Sequence, residues 1–144
     1  MRHTRLIAAL DTQSVEQALS WARMRDGPGD AIKLGLEFTY ACGLDAVRQV
    51  AHGQALFLDL KLHDIPNTVA KGLSSLAPVG ASMLTIHASG GSAMIGAART
   101  ALEETTPAAS HRPLLLAVTV LTSLDEPGLR ETGVNATPRE QVLR

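Results

Sequence analysis

The chain has 144 residues, a formal net charge of -1, a hydrophobic fraction of 45% and a charged fraction of 19%. This is the composition of one globular domain that can bury a core, and the charge gives no reason to expect a nucleic-acid or acidic-membrane partner. Two Phe, one Tyr and one Trp are too few for a base-stacking platform. The single cysteine, Cys42, excludes an internal disulfide and favours a reducing compartment, so we expect a cytoplasmic protein.

Apolar runs in the sequence are too short for a signal-peptide core or a membrane span. The basic residues 1–5 precede the apolar stretch 6–10, and the longest later run is 114–121. A membrane-spanning helix needs about 20 consecutive apolar residues. We therefore expect no membrane association.

Five apolar runs predict β-strands, at residues 6–10, 31–36, 55–62, 82–88 and 114–121. Between them, apolar residues follow the spacing of amphipathic helices. These helical positions are Val15, Ala18, Leu19 and Ala22, then Leu44, Val47 and Val50, then Val69, Leu73 and Leu76, then Met94, Ala97, Ala98 and Ala101. Ser14 and Gln17 predict a capping box before the first helix. Glycine and proline at 27–29, 52–53 and 78–80 predict helix ends.

Strands that alternate with helices predict right-handed βαβ units and a parallel sheet. The strand spacing of about 25 residues is typical of a (β/α)8 TIM barrel, although an open doubly wound sheet gives a similar pattern. Thr137, Pro138 and Glu140 predict a further helix start shortly before Arg144. Because a closed barrel needs about 200–250 residues, we expect residues 1–144 to form one partial barrel domain, the first five βα units of a longer protein.

Polar residues stand late in the predicted strands, where parallel α/β folds build their active sites. They are Asp11, Lys33, Asp59, Lys61, Asp64, His87, Thr122 and Ser123. In the third strand, Asp59 and Lys61 alternate with leucines, so their side chains share one face. Burying charges costs free energy unless they are paired, and chemistry explains such a pair better than packing does.

The motif Asp-x-Lys-x-x-Asp-Ile-Pro-Asn-Thr at residues 59–68 makes the chain resemble the bacterial-type orotidine 5'-phosphate decarboxylase family. The resemblance extends over essentially the whole chain. It includes Ala-Leu-Asp at 9–11, Ile-Lys-Leu-Gly at 32–35, Ile-His-Ala-Ser-Gly-Gly at 86–91 and Val-Thr-Val-Leu-Thr-Ser at 118–123. Related sugar-phosphate barrels share the Asp-x-Lys-x-x-Asp spacing, but its combination with the strand-two lysine and the strand-five Leu-Thr-Ser is highly specific.

This resemblance implies a TIM barrel that converts orotidine 5'-phosphate to uridine 5'-phosphate and CO2 in de novo pyrimidine synthesis, with no metal and no organic cofactor. A carbanion without an electron sink must be stabilised by fixed charge and a nearby proton. Lys61 matches the family's lysine that supplies both. Asp59 and Asp64 match the acids that hold this lysine charged and in place.

The resemblance also implies roles in substrate binding. Lys33 matches the lysine that extends the charge array and contacts the ribose, and Asp11 matches the acid that binds a ribose hydroxyl. Thr122 matches the strand-five residue that reads the pyrimidine edge. The family's phosphate-gripping loops would lie beyond residue 144, so the turnover of residues 1–144 alone is expected to be impaired.

A homodimer with shared active sites is implied as well. In the family, the counterparts of Asp64, Ile65 and Thr68 reach into the partner subunit's site. We expect the only ligand to be the small-molecule substrate, orotidine 5'-phosphate.

Simpler interpretations stand beside these. Asp59 and Lys61 could form an ion pair on an edge strand, and Asp64 could cap the helix that begins near Pro66. The five histidines show no metal-ligand spacing, and His87 is expected to be a core or interface residue.

Two functional alternatives remain open. A related Mg2+-dependent barrel that decarboxylates or cleaves a sugar phosphate, as a decarboxylase or aldolase, would carry an acid in place of Lys33. An inactive fragment would only bind or assemble, because strands one and five would be bare edges that invite association.

Overall fold

A computed structural model describes residues 6–24, 30–106 and 112–144. Five strands alternate with helices along these residues. The elements are β1 (Ile7–Ala9), α1 (Val15–Arg23), β2 (Ala31–Gly35), α2 (Leu36–Ala51), β3 (Ala55–Leu62), α3 (Pro66–Leu76), β4 (Met83–His87), α4 (Gly91–Thr105), β5 (Leu114–Val118), α5 (Glu126–Glu131) and α6 (Pro138–Leu143). Single 3-10 turns at Ala77–Val79 and Ala88–Gly90 precede β4 and α4. The helix end predicted at 27–29 lies outside the described residues.

The five strands form one parallel sheet in the order β1-β2-β3-β4-β5. A doubly wound sheet reverses its strand order at a switch point. Here the order follows the chain throughout, and right-handed crossovers then place the helices on one face. Helices α1 and α2 pack together, as do α3 and α4. The architecture is therefore part of a (β/α) barrel, and the doubly wound alternative is wrong.

The core lies between the sheet and these helices. Alternate strand residues enter it, and all of the following are buried: Ile32, Leu34, Leu56, Leu58, Leu84 and Ile86. They form one cluster with Phe38, Val47, Leu73 and Met94. Each fully buried side chain of this size contributes about 1.5–3 kcal/mol. Because one face of the sheet is used for packing, the strand residues between these positions point to the opposite face, toward the inside of a barrel.

The strand predictions are correct in number and place, and β3 has the predicted bounds. The fifth strand ends at Val118 and not at residue 121. The backbone bends at Val120, and a turn follows in which the N–H of Leu124 donates to the carbonyl of Leu121 at 2.9 Å. The second strand ends at Gly35, which is the N-cap of α2. In both strands the chain leaves the sheet before the apolar run of the sequence ends.

The helix predictions need three corrections. Ser14 caps α1 as expected, but the side chain of Gln17 accepts from the hydroxyl of Thr12 at 2.7 Å, so no capping box closes. Helix α2 begins at Leu36, ahead of the apolar repeat that predicted it, and is interrupted at Gly43, which has a φ of 81°. The short α5 is absent from the predicted helices, and its N-cap is Asp125.

The last helix agrees with its prediction. At α6 the N–H of Glu140 donates to the hydroxyl of Thr137 at 3.3 Å, and the N–H of Thr137 donates to the Glu140 carboxylate at 2.9 Å. The predicted capping box is therefore confirmed. In the described parts of the chain, no helix has the length and apolar character that crossing a membrane requires.

Candidate active site

A row of charged side chains crosses the sheet on the face opposite the helices. Asp11 follows β1, Lys33 lies in β2, and Asp59 and Lys61 lie in β3. The parallel register pairs Ala9 with Lys33 and Gly35 with Asp59, so neighbouring strands bring these side chains to the same edge. The structure thus assembles four residues that the sequence singled out.

Asp59 is the centre of this row. The Lys61 ammonium donates to its Oδ1 at 2.9 Å and to its Oδ2 at 2.8 Å. The Nζ of Lys33 lies 3.9 Å from the same Oδ2 and 3.5 Å from Oδ1 of Asp11. Positive and negative groups therefore alternate from Asp11 to Lys61. Because β3 lies between β2 and β4, the interpretation of Asp59 and Lys61 as an ion pair on an edge strand is wrong.

The environment of Asp59 keeps its carboxylate ionised. Its side chain is only 14% exposed. Burial raises the pKa of this group, but hydrogen bonds from Lys61 and Thr85 and the charges of Lys61 and Lys33 outweigh burial, so the pKa lies below its ordinary value. A charged Asp59 is what holds the two ammonium groups in place.

The backbone of β3 is irregular at the lysine. Opposite β4, the pairing moves from Leu58–Leu84 to Leu62–Ile86, so β3 uses two extra residues there. Lys61 has a φ of 50°, in the left-handed region, and among the described residues it is the one non-glycine with a positive φ. Such a conformation costs about 1–3 kcal/mol and is found mostly at functional sites. The bulge re-aims the lysine side chain toward Asp59.

Thr85 in β4 belongs to the site but was missed in the sequence. It is 3% exposed. Its hydroxyl accepts from the N–H of Lys61 at 2.8 Å and donates to Oδ1 of Asp59 at 2.9 Å. The sequence signal is a polar residue in the middle of an apolar strand, but threonine is common in strands, so this position does not by itself indicate a site.

The charged row opens onto a cavity of about 570 Å3 between β3, β4 and the turn after β5. Asp59, Lys61, Thr85 and Thr122 line it, with Phe57, Val118 and Leu121 among its apolar walls. Pockets of about 300–1,000 Å3 with a few convergent polar groups are typical of small-molecule sites. The structure thus places Thr122 on the same cavity as Lys61.

Asp64, the second acid of the motif at residues 59–68, is not part of the row of charged side chains. Asp64 is exposed, and its Oδ1 accepts from the N–H of Ile65 at 2.6 Å. In the described portion of the chain Lys61 pairs with Asp59 and not with Asp64. The N-cap of α3 is Ile65, which has no side-chain cap, so the helix-capping alternative for Asp64 is wrong.

A second cavity of about 440 Å3 lies beside this acid. Its lining includes Tyr40, Lys61, Asp64 and Thr68. Lys61 therefore lies between the two cavities. Ile65, the third residue of the predicted subunit contact, is 65% exposed.

His87 ends β4 and lies beside His63, with ring centroids 5.2 Å apart. Burial, followed by the charges of His63 and Lys61, lowers the pKa of His87. Its imidazole is partly buried, and the core or interface role expected for it stays a prediction. Across residues 6–24, 30–106 and 112–144, no three His, Cys, Asp or Glu side chains are close enough to hold a metal ion.

Comparisons with known proteins agree on one family. A family model described as orotidine 5'-phosphate decarboxylase / HUMPS family matches residues 4–144. Orotidine 5'-phosphate decarboxylase of Gluconobacter oxydans is 65% identical over 143 residues, which are 99% of this chain and 61% of that protein. The Ehrlichia chaffeensis enzyme of the same name is 45% identical over 139 residues, with 96% and 58% covered. The chain thus spans about three fifths of the length of these curated relatives.

Solved structures give the same result for the fold. Orotidine 5'-phosphate decarboxylase from Lactobacillus acidophilus matches with a TM-score of 0.89 and 41% identity, over 98% of this chain and 64% of that one. The Methanocaldococcus jannaschii protein complexed with inhibitor BMP matches with a TM-score of 0.66 at 22% identity, over 72% and 49%. The second match concerns the fold alone.

Proposed function

The chain belongs to the orotidine 5'-phosphate decarboxylase / HUMPS family, and we propose that the protein converts orotidine 5'-phosphate to uridine 5'-phosphate and CO2. One observation carries this proposal. The Lys61 ammonium is held at 2.9 and 2.8 Å by a carboxylate and lines a cavity of small-molecule size. The names of relatives up to 65% identical support the same reaction.

Lys61 is the group that we assign to the chemical step. The bond between the pyrimidine ring and its carboxylate breaks, CO2 leaves, and the electron pair stays on the ring carbon. The ammonium stabilises this charge and then gives the carbon a proton, and the neutral amine regains a proton from solvent. Asp59 holds the ammonium through two hydrogen bonds where it lines the cavity.

The remaining members of the row are assigned to substrate binding. Lys33 and Asp11 would contact the ribose, supported by the 3.5 Å ion pair between them at the strand ends. Thr122 would read the pyrimidine edge, supported by its place on the cavity that Lys61 lines. Hydroxyl and ammonium groups at these positions can hydrogen-bond a nucleotide without a cofactor.

We further propose a homodimer that shares its active sites. Asp64 is exposed and is flanked by apolar side chains that are also exposed, Ile65, Tyr40 and Leu36. A two-fold axis would bury these side chains and deliver Asp64, Ile65 and Thr68 of each subunit to the other's site. The array of Lys33, Asp59, Lys61 and Asp64 would then be completed between chains. Such an enzyme of pyrimidine synthesis would work in the cytoplasm.

The Mg2+-dependent alternative is less well supported, because Lys33 occupies the strand-two position where an acid would be expected. The test is to supply orotidine 5'-phosphate to the protein encoded by its complete gene and to measure CO2 and uridine 5'-phosphate. Stoichiometric formation of both, unchanged by a chelator, is the expected result. No turnover, or turnover abolished by chelation, would overturn the proposal.

A further inference from the structure

We propose that Thr85 is a positioning residue for Lys61, whose hydroxyl fixes both the backbone of the lysine and the carboxylate that holds its ammonium. The bonding pattern stands on its own, while its consequence for turnover rests on the proposed decarboxylase function. No signal in the motif at residues 59–68 identifies this residue.

The two hydrogen bonds of Thr85 require a hydroxyl group, which accepts in one bond and donates in the other. The oxygen accepts from the N–H of Lys61 at 2.8 Å, and its own hydrogen goes to Oδ1 of Asp59 at 2.9 Å. A hydroxyl has one hydrogen to donate and lone pairs that accept, so one atom serves both partners. At 3% exposure, Thr85 leaves little room for water to replace it.

The position of Thr85 coincides with the irregularity in β3. Leu58 and Leu62 pair with Leu84 and Ile86, and Thr85 lies opposite the residues that bulge between them. The Thr85 hydroxyl takes the place of a carbonyl of the neighbouring strand as acceptor for the Lys61 N–H. Without it, that N–H loses its partner and Lys61, at a φ of 50°, is free to return to an extended conformation that moves its ammonium.

The same hydroxyl orients the carboxylate of Asp59. Its Oδ1 receives hydrogen bonds from Thr85 and Lys61, while Oδ2 receives one from Lys61. The bond from Thr85 therefore fixes the rotation of the carboxylate that allows both oxygens to meet the ammonium. It is also one of the interactions that lower the pKa of Asp59.

The test compares Thr85→Val, which keeps the shape and removes the hydroxyl, with Thr85→Ser, which keeps the hydroxyl, in the protein encoded by its complete gene. Losing hydrogen bonds to a charged group corresponds to about a ten- to hundredfold effect, which we expect on kcat with little change in KM for T85V. T85S should stay within about threefold of the wild type. Thr39→Val is the matched control, because Thr39 is a buried threonine whose hydroxyl has no partner within the described chain.

Two measurements do not depend on turnover. Amide hydrogen exchange of Lys61 should be at least about tenfold faster in T85V than in the wild type and T85S, and the pKa of Asp59 should rise. If the wild type lacks decarboxylase activity, the proposed function fails, but these measurements still decide the role of Thr85. Unchanged kcat and exchange in T85V would overturn the proposal, and so would a T85S variant as impaired as T85V.

If T85V misfolds, a comparison of two other variants tests the proposal. Thr85→Ser and Thr85→Ala differ by a single oxygen atom and both reduce the volume of the side chain. Equal kcat in T85S and T85A would mean that packing and not the hydroxyl matters, which would overturn the proposal. A kcat in T85S about tenfold or more above that of T85A would support it.

Discussion

The ammonium of Lys61 donates to both carboxylate oxygens of Asp59, at 2.9 and 2.8 Å, although the two residues stand only two apart in one strand. In a regular strand such residues point the same way but lie about 7 Å apart. The bulge in β3 and the left-handed backbone of Lys61 are local features that accompany the bidentate contact. The strained backbone therefore belongs to the residue whose side chain is assigned to the chemistry.

Asp59 should make the protein's stability depend on pH in acid. Its folded-state pKa is below the ordinary value of 3.8, so its contribution is present above that pH and is lost as pH falls through the lowered folded-state pKa. We expect the difference in free energy of unfolding between wild type and Asp59→Asn to shrink as pH falls below about 3.8. Urea unfolding at a series of pH values measures this difference.

The control for that experiment is Asp45→Asn. Asp45 pairs with Arg48 on α2, and its side chain is 91% exposed. An exposed pair contributes about 0–1 kcal/mol, so D45N should differ little from the wild type at any pH. A D59N difference that stays constant through the acid range would contradict the assignment of Asp59.

His87 should affect stability nearer neutrality. Its pKa is lowered by burial and by the charges of His63 and Lys61, so folding favours the neutral imidazole. That contribution is present above the ordinary value of 6.5 and is lost as pH falls through the lower folded-state pKa. We expect His87→Gln to flatten the fall in unfolding free energy below pH 6.5. The control is His52→Gln at an exposed histidine, which should leave the slope of unfolding free energy against pH unchanged. Equal slopes in the wild type and H87Q would refute the prediction.

Mixed subunits test the proposed sharing of sites. A dimer of one Lys61→Ala chain and one Asp64→Asn chain contains one site with both groups intact. Random mixing should therefore restore about a quarter of wild-type activity from two inactive proteins. The measurement is turnover before and after mixing, with subunit exchange followed by mass spectrometry. Hybrid dimers that form but stay inactive would show that Asp64 acts within its own chain, and a D64N protein that keeps wild-type turnover by itself would show that Asp64 has no role in the reaction.

The sheet edges predict association of a polypeptide limited to residues 1–144. In the part of the chain that the structure describes, β1 and β5 each have one strand neighbour, and Leu114 of β5 is 61% exposed. Such edges pair with other chains unless charges protect them. We expect this polypeptide to be oligomeric with little or no turnover, and Leu114→Lys to reduce its association in sedimentation experiments.

A control substitution at an exposed leucine outside the sheet distinguishes association through the strand edge from a general effect of surface hydrophobicity. Leu143 is 77% exposed but lies on helix α6 and not in a strand. Leu143→Lys should therefore change the association less than Leu114→Lys does. A polypeptide that sediments as an active monomer would contradict the prediction.

Local patterns explain what could be predicted from the sequence. The alternation of charged residues with leucines placed Asp59 and Lys61 on one face, and strand order then brought Lys33 beside them. Thr85 could not be found in this way, because its role depends on a bulge created by pairing between β3 and β4. The break at Gly43 and the six-residue α5 are also too short to produce a periodic pattern.

The central claim is that Lys61 supplies the charge and the proton for decarboxylation, and Lys61→Ala tests it most directly. Kinetics on orotidine 5'-phosphate should show kcat lowered by about 10²–10⁴-fold, while binding of uridine 5'-phosphate stays within about tenfold. Lys71→Ala, at an exposed lysine on α3, should keep wild-type turnover. Retained turnover in a folded K61A protein would contradict the account.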